Sequence, residues 1–268
     1  MTDASVQPPA SVGVYARTLV ARLAAMPDGV LRAAYVHGSA ALGGWVPGRS
    51  DVDMLFVVAD GISSAAVEQM GDVLRASAGG CPGRELECSV VTVAQARQPA
   101  PPWPFVLHVA AGPGRAARTV RPESQSPGDP DLLMHYAVCR AAGCPAYGPA
   151  PGALIGVVPR RAILEYLAGE LGWGIEHATG AYGVLNACRA LIYLADSLIV
   201  SKITGGETVL SRGAGPAAVI ERALAQQRGS KPDQPPDPAA VSFVLATAAM
   251  LRSAAADELA GWLAGSAQ

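Results

Sequence analysis

The sequence lacks a surplus of charge of either sign: 20 Lys and Arg stand against 22 Asp and Glu, a formal net charge of −2 over 268 residues. Non-specific nucleic-acid binding depends on clustered cations, so no nucleic-acid partner is expected. It also lacks metal-ligand spacing among its cysteines. Cys81, Cys88, Cys139, Cys144 and Cys188 form no CxxC and no Cys/His pattern. Buried thiols in a reducing cytosol are expected, and a zinc site is not. The opening "MTDASVQPPASVGVY" has neither a basic n-region nor an apolar h-region, so a cytoplasmic protein is expected. No stretch has the length and purity of a membrane span, and no membrane partner is expected. Val241 to Leu263 comes nearest, but Arg252, Asp257 and Glu258 interrupt it, and it reads as an amphipathic or core helix. Internal repeats are absent. What the chain does have is apolar mass: half its residues, enough for one large domain or two modest ones.

The periodicities change character along the chain. Ser11 to Ala25 has helical apolar spacing and stops near "PDG". "AAYVHG" reads as a short strand, "SAALGGWVPGRS" as helix and loop, and "DVDMLFVVA" as a buried strand. Ser63 to Ala78 is a helix with Val67, Met70, Val73 and Leu74 on one side, and "RELECSVVTV" is again a strand. His108 falls in a further apolar strand. "AGPGRAARTVRPESQSPGDPD" reads as an irregular connection or exposed loop. From Asp131 onward the pattern is helical. "YGVLNACRALIYLADSLIVSK" is the clearest case, with Leu185, Cys188, Ile192, Ala195 and Ile199 along one face. The expected fold is α+β, a sheet domain over residues 1–150 and an α-helical bundle domain over 151–268.

Chemistry concentrates in "YVHGSAALGGWVPGRSDVDMLFVV". Residues two apart in a strand share a face, so Asp51 and Asp53 project together, their Cα atoms about 7 Å apart. Two like charges side by side are unfavourable without a cation between them. Carboxylates so placed suit a hard divalent ion such as Mg²⁺, which prefers oxygen donors and substrate phosphates. Gly38 and Ser39, at the end of one strand and the start of a helix, can turn backbone N–H groups toward an anion.

This order of strand, Gly-Ser turn, Ser-Asp-x-Asp and strand resembles the nucleotidyltransferase superfamily typified by polymerase beta. That superfamily requires a third carboxylate on a neighbouring strand. Glu85 and Glu87 share a strand face, and periodicity does not separate them. The "LEC" strand is similar to the "LEV" strand of the aminoglycoside adenylyltransferases acting on streptomycin and spectinomycin, which selects Glu87 and leaves Glu85 a solvated neighbour. The resemblance extends over roughly Val12 to Glu207, through the Tyr147-Gly148-Pro149 turn to the Cys-Arg and terminal Ser-Lys of "GVLNACRALIYLADSLIVSK".

The resemblance implies a polymerase-beta-like nucleotidyltransferase domain followed by the helical domain, and transfer of AMP from ATP to a hydroxyl of a small molecule, an aminoglycoside or aminocyclitol. Closure of the helical domain on the sheet domain would form the substrate cleft. Asp51, Asp53 and Glu87 would hold Mg²⁺, and Glu87 would act as general base. Gly38, Ser39, Ser50, Arg189 and Lys202 would bind the nucleotide. The family's two acidic acceptor positions fall on Ile175 and Thr179, and its two tryptophans on Glu170 and Gly112. Trp173, Glu176 and His177 are the acceptor candidates in that neighbourhood. The expected partners are ATP and a small hydroxylated acceptor, and a monomer is expected. The alternatives are a nucleotide-binding regulatory protein on the same scaffold, or adenylylation of a protein or another metabolite.

Overall fold

The computed structural model describes residues 7–26, 29–121 and 128–265. Pro27 and Asp28 of the expected helix stop, residues 122–127 of the expected connection, and residues 1–6 and 266–268 lie outside the described residues. The chain forms two compact units, Met1–Val158 and Pro159–Gln268.

The first unit runs α1 (Ala10–Ala24), β1 (Leu31–Val36), α2 (Gly38–Ala41), β2 (Val52–Val58), α3 (Ser64–Ser77), β3 (Leu86–Thr92), α4 (Val93–Arg97), β4 (Leu107–Ala111), β5 (Arg118–Val120), α5 (Leu132–Ala142), β6 (Cys144–Tyr147) and α6 (Pro151–Leu154). Its six strands form one sheet in the order β5-β4-β3-β2-β1-β6. β2 and β3 are parallel, joined across α3, and the other pairs are antiparallel. β2 reads as an unbroken apolar run because both its faces are covered: Met54 to Val58 are all fully buried. On one face Met54, Phe56, Leu86, Cys88 and Val90 pack with Leu19 and Leu23 of α1 and Met70 and Leu74 of α3. Burial of each such side chain stabilises by about 1.5–3 kcal/mol relative to exposure. The other face carries the polar residues described below. Local signals start the helices, as where the Ser63 hydroxyl accepts from Ala66 N, and where Thr92 and Gln95 form a capping box.

Two strands depart from the sequence reading. β5 lies inside the expected irregular connection; three residues are too few to show an alternation. β6, in the segment read as a link, contains Pro145, which a sheet accepts only at an edge, and β6 is the edge strand beside β1.

The second unit is helical: α7 (Arg160–His177), α8 (Gly180–Asp196), α9 (Lys202–Ser211), α10 (Ala217–Gln227) and α11 (Pro238–Gly265). The expected long helix is divided. α8 ends at Asp196, Ser197 takes a left-handed conformation at φ 58°, and Ser201 caps α9 by accepting from Thr204 N at 3.0 Å. Ile199 keeps the apolar spacing but stands in the connection, and Lys202 opens α9 rather than closing α8. Pro238–Ala260 is long and apolar enough to cross a membrane by length and composition alone. Here it packs on α7 and α8 with Val244, Ala248, Leu251 and Ala255 buried, and Glu258 pairs with Arg160.

Candidate functional site

The parallel register of β2 and β3 sets Asp53 directly beside Glu87. Neighbouring strands are about 4.8 Å apart, so the two carboxylates leave the same face as near neighbours. Asp51, just ahead of β2, shares that face by the two-residue period. The end of β1 meets them: His37 N donates to Asp53 O at 3.0 Å. Gly38 follows at φ 59°, and a Cβ there would lie 1.8 Å from Asp53 Oδ2. Only glycine leaves space for that carboxylate and adopts that backbone without strain. The anion cradle is smaller than the sequence suggests, since α2 is a single turn and carries little macrodipole. Its polar resource is Ser39, whose buried Oγ has no hydrogen-bond partner.

Glu87 has its proton affinity raised. Burial is the main cause, and Asp51, Glu85 and Asp131 add to it, while His108 acts in the opposite sense. His108 faces the same side of the sheet as the register partner of Ser89, and its Nδ1 is 3.1 Å from Ser89 Oγ. His37 meets His135 of α5 in a tilted ring contact, 4.9 Å between centroids. Burial pushes all three histidines below the ordinary imidazole value, so they stand neutral behind the carboxylates. His37 and His108 are thus buried behind a site whose sequence gave them no partner.

One assignment needs correction. Glu85 is not solvated: its side chain is 19% exposed and lies 3.5 Å from Arg84 and 4.0 Å from Arg115. Ser50 is buried, and its hydroxyl accepts from Val46 N at 3.0 Å, closing the Val46–Ser50 turn that leads into β2.

Arg84 was not singled out by the sequence. It grips Asp51 with both arms, Nε to Oδ1 at 2.9 Å and Nη2 to Oδ2 at 2.6 Å. The available signal was a cation three residues ahead of Glu87, facing a DxD pair in need of a counter-charge. The donor set of Asp51, Asp53 and Glu87 is all-oxygen and suits Mg²⁺ chemically. Among the described residues, however, no three His, Cys, Asp or Glu side chains are grouped closely enough to hold a metal ion. Asp51 is engaged by the guanidinium instead. Gly112, where the resemblance puts a tryptophan, has no room for any side chain: a Cβ would lie 2.4 Å from Arg84 O and 2.9 Å from Glu85 Cβ.

In the helical unit, Tyr182 gathers the candidate residues. The Lys202 ammonium lies 4.2 Å from its ring centroid, its hydroxyl donates to Glu170, and Trp173 meets it edge-on at 6.1 Å. Arg189, two helical turns along on the same face of α8, opposes the rise that burial and Glu170 impose on the Tyr182 hydroxyl. Arg189 donates to Val200 O at 2.9 Å and to Asn186 Oδ1 at 3.1 Å. α9 can approach this closely because Gly205 sits against it; a Cβ there would be 3.1 Å from Arg189 N. Trp173 is 50% exposed and stacks on His177 at 5.1 Å, while Glu176 is exposed. Thr179, at an acidic position of the resembled family, is the N-cap of α8.

Residues 155–252 match the family model described as aminoglycoside adenylyltransferase, C-terminal domain. The structure is similar to that of spectinomycin adenyltransferase AAD(9) from Enterococcus faecialis with ATP and spectinomycin, at 16% identity and a TM-score of 0.64. The likeness covers 90% of this chain and 98% of that one. No curated protein matches the chain. The helical unit is thus similar to the C-terminal domain of the aminoglycoside adenylyltransferases, and the chain over most of its length shares the fold of that solved structure.

Proposed function

We propose that this protein transfers AMP from ATP to a hydroxyl of a small aminoglycoside or aminocyclitol. The observation that carries the reading is the register pairing of Asp53 with Glu87, beside a Gly38 turn that only glycine permits. The acceptor oxygen attacks the α-phosphorus, the bond to the β-phosphate oxygen breaks, and pyrophosphate leaves with the electron pair. Glu87 takes the hydroxyl proton; its burial raises its proton affinity toward that of a useful base. Mg²⁺ held by Asp51, Asp53 and Glu87 would supply charge neutralisation at the reacting phosphate. Gly38 and Ser39 offer backbone N–H groups and an unpartnered hydroxyl to phosphate oxygens. Arg189 and Lys202 are the cations assigned to the triphosphate, whose charge one divalent ion offsets only in part. Trp173 with His177 presents an aromatic face, and Glu176 a carboxylate, to an amino-bearing ring.

The test is incubation with ATP, Mg²⁺ and a panel of aminoglycosides and aminocyclitols, following pyrophosphate release and a mass gain of one AMP on the acceptor. Transfer to a panel member supports the reading. ATP binding with no release across the panel favours the regulatory alternative.

A further inference from the structure

Asp51 of the DxD pair already has a cation. Its side chain is 16% exposed, and both its oxygens are taken by the Arg84 fork. The fork is built in. Arg84 N donates to Ser50 O at 2.9 Å, and Val52 N donates to Glu85 O at 2.8 Å, so the backbone carrying the guanidinium is laced to the backbone carrying Asp51. Gly83 and Gly112 close the sides: a Cβ on the first would meet Ser50 O at 2.6 Å, and one on the second would meet Arg84 O at 2.4 Å. A bidentate, charge-assisted pair on a fixed backbone is stronger than a surface contact between two free side chains. Glu85, 3.5 Å from the same guanidinium, gives it a second anion nearby.

We infer that Arg84 is an internal counter-cation for Asp51, which a divalent metal must displace to complete its ligand set. The inference rests on the nucleotidyl-transfer reading of Asp51, Asp53 and Glu87. It accounts for how the like charges of Asp51 and Asp53 stand side by side at the head of β2. Metal affinity without nucleotide is then held down by the cost of freeing Asp51. Arg84, 46% exposed, has room to swing to Glu85 or to an anionic ligand when released.

The experiment is titration of the nucleotide-free protein with Mn²⁺, by calorimetry and by the metal-induced rise in melting temperature, in wild type, Arg84→Gln, Arg84→Lys and Asp53→Asn. Arg84→Gln should bind Mn²⁺ about tenfold more tightly than wild type and gain more in melting temperature on metal addition, with Arg84→Lys between them. Asp53→Asn should lose Mn²⁺ binding. Unchanged or weaker binding in Arg84→Gln and Arg84→Lys, with binding lost in Asp53→Asn, overturns the role of Arg84 and leaves the metal reading standing. Undiminished binding in Asp53→Asn overturns both.

Discussion

Gly38 and Asp53 occupy what would be the same space: a Cβ on residue 38 would fall 1.8 Å from the Asp53 carboxylate. The glycine is therefore part of the carboxylate site, although it carries no reacting group.

Gly38→Ala should damage the protein twice. The left-handed backbone at φ 59° costs a residue with a side chain about 1–2 kcal/mol, and the displaced Asp53 leaves its register beside Glu87. Transfer should fall by about 100-fold or more, the loss expected when a positioned group is moved by about 1 Å. Melting temperature and kcat/KM measured together check both effects.

Glu87→Gln should stabilise the protein at neutral pH. The folded-state pKa of Glu87 is raised by burial above its unfolded value. Below the unfolded value, both states hold the proton and nothing is lost. As pH rises, the unfolded chain ionises first, so the native state loses stability until it ionises too. Glutamine cannot ionise. Urea denaturation should show the variant more stable than wild type at pH 7.5, with the gain gone near pH 4.

The histidines make the sheet unit sensitive to acid. His37, His108 and His135 are all held below the ordinary value by burial. Below about pH 6.5 the unfolded chain binds protons that the native state refuses, so stability falls with pH, by at most about 1.4 kcal/mol per unit for each histidine. His135→Leu should reduce this slope between pH 7 and 5.5, read from urea midpoints.

Lys202→Met separates function from structure. A cation at the first position of α9 opposes the helix dipole, so removing it should leave the melting temperature unchanged or slightly raised. If the ammonium serves the triphosphate, KM for ATP should rise about tenfold, consistent with the loss of one charge-assisted contact. A lower melting temperature with unchanged KM would make the Lys202–Tyr182 contact purely structural.

Much of this was legible in the sequence because it rests on short-range rules. The two-residue period put Asp51 and Asp53 on one face, and the apolar run of β2 marked a strand buried on both sides. The separation of Glu87 from Glu85 came from resemblance, and the structure gives its physical content: Glu87 is Asp53's register partner, while Glu85 turns to Arg84 and Arg115. What escaped depends on tertiary contact. Arg84 meets Asp51 across 33 residues, and no periodicity announces such a pair. The turn that the Ser50 hydroxyl closes through Val46 N is likewise a contact no spacing shows. The break after Asp196 was hidden because Ile199 preserves the helical spacing, while the Ser201 cap that restarts the chain is a single residue.

The most direct test is single-turnover AMP transfer by Glu87→Gln, with ATP binding measured in parallel on an acceptor that wild type modifies. ATP affinity within about threefold of wild type and transfer reduced by about 10²–10⁴ is the expected result for loss of a general base. Transfer at the wild-type rate would contradict the account, since the carboxylate beside Asp53 would then have no part in the chemistry.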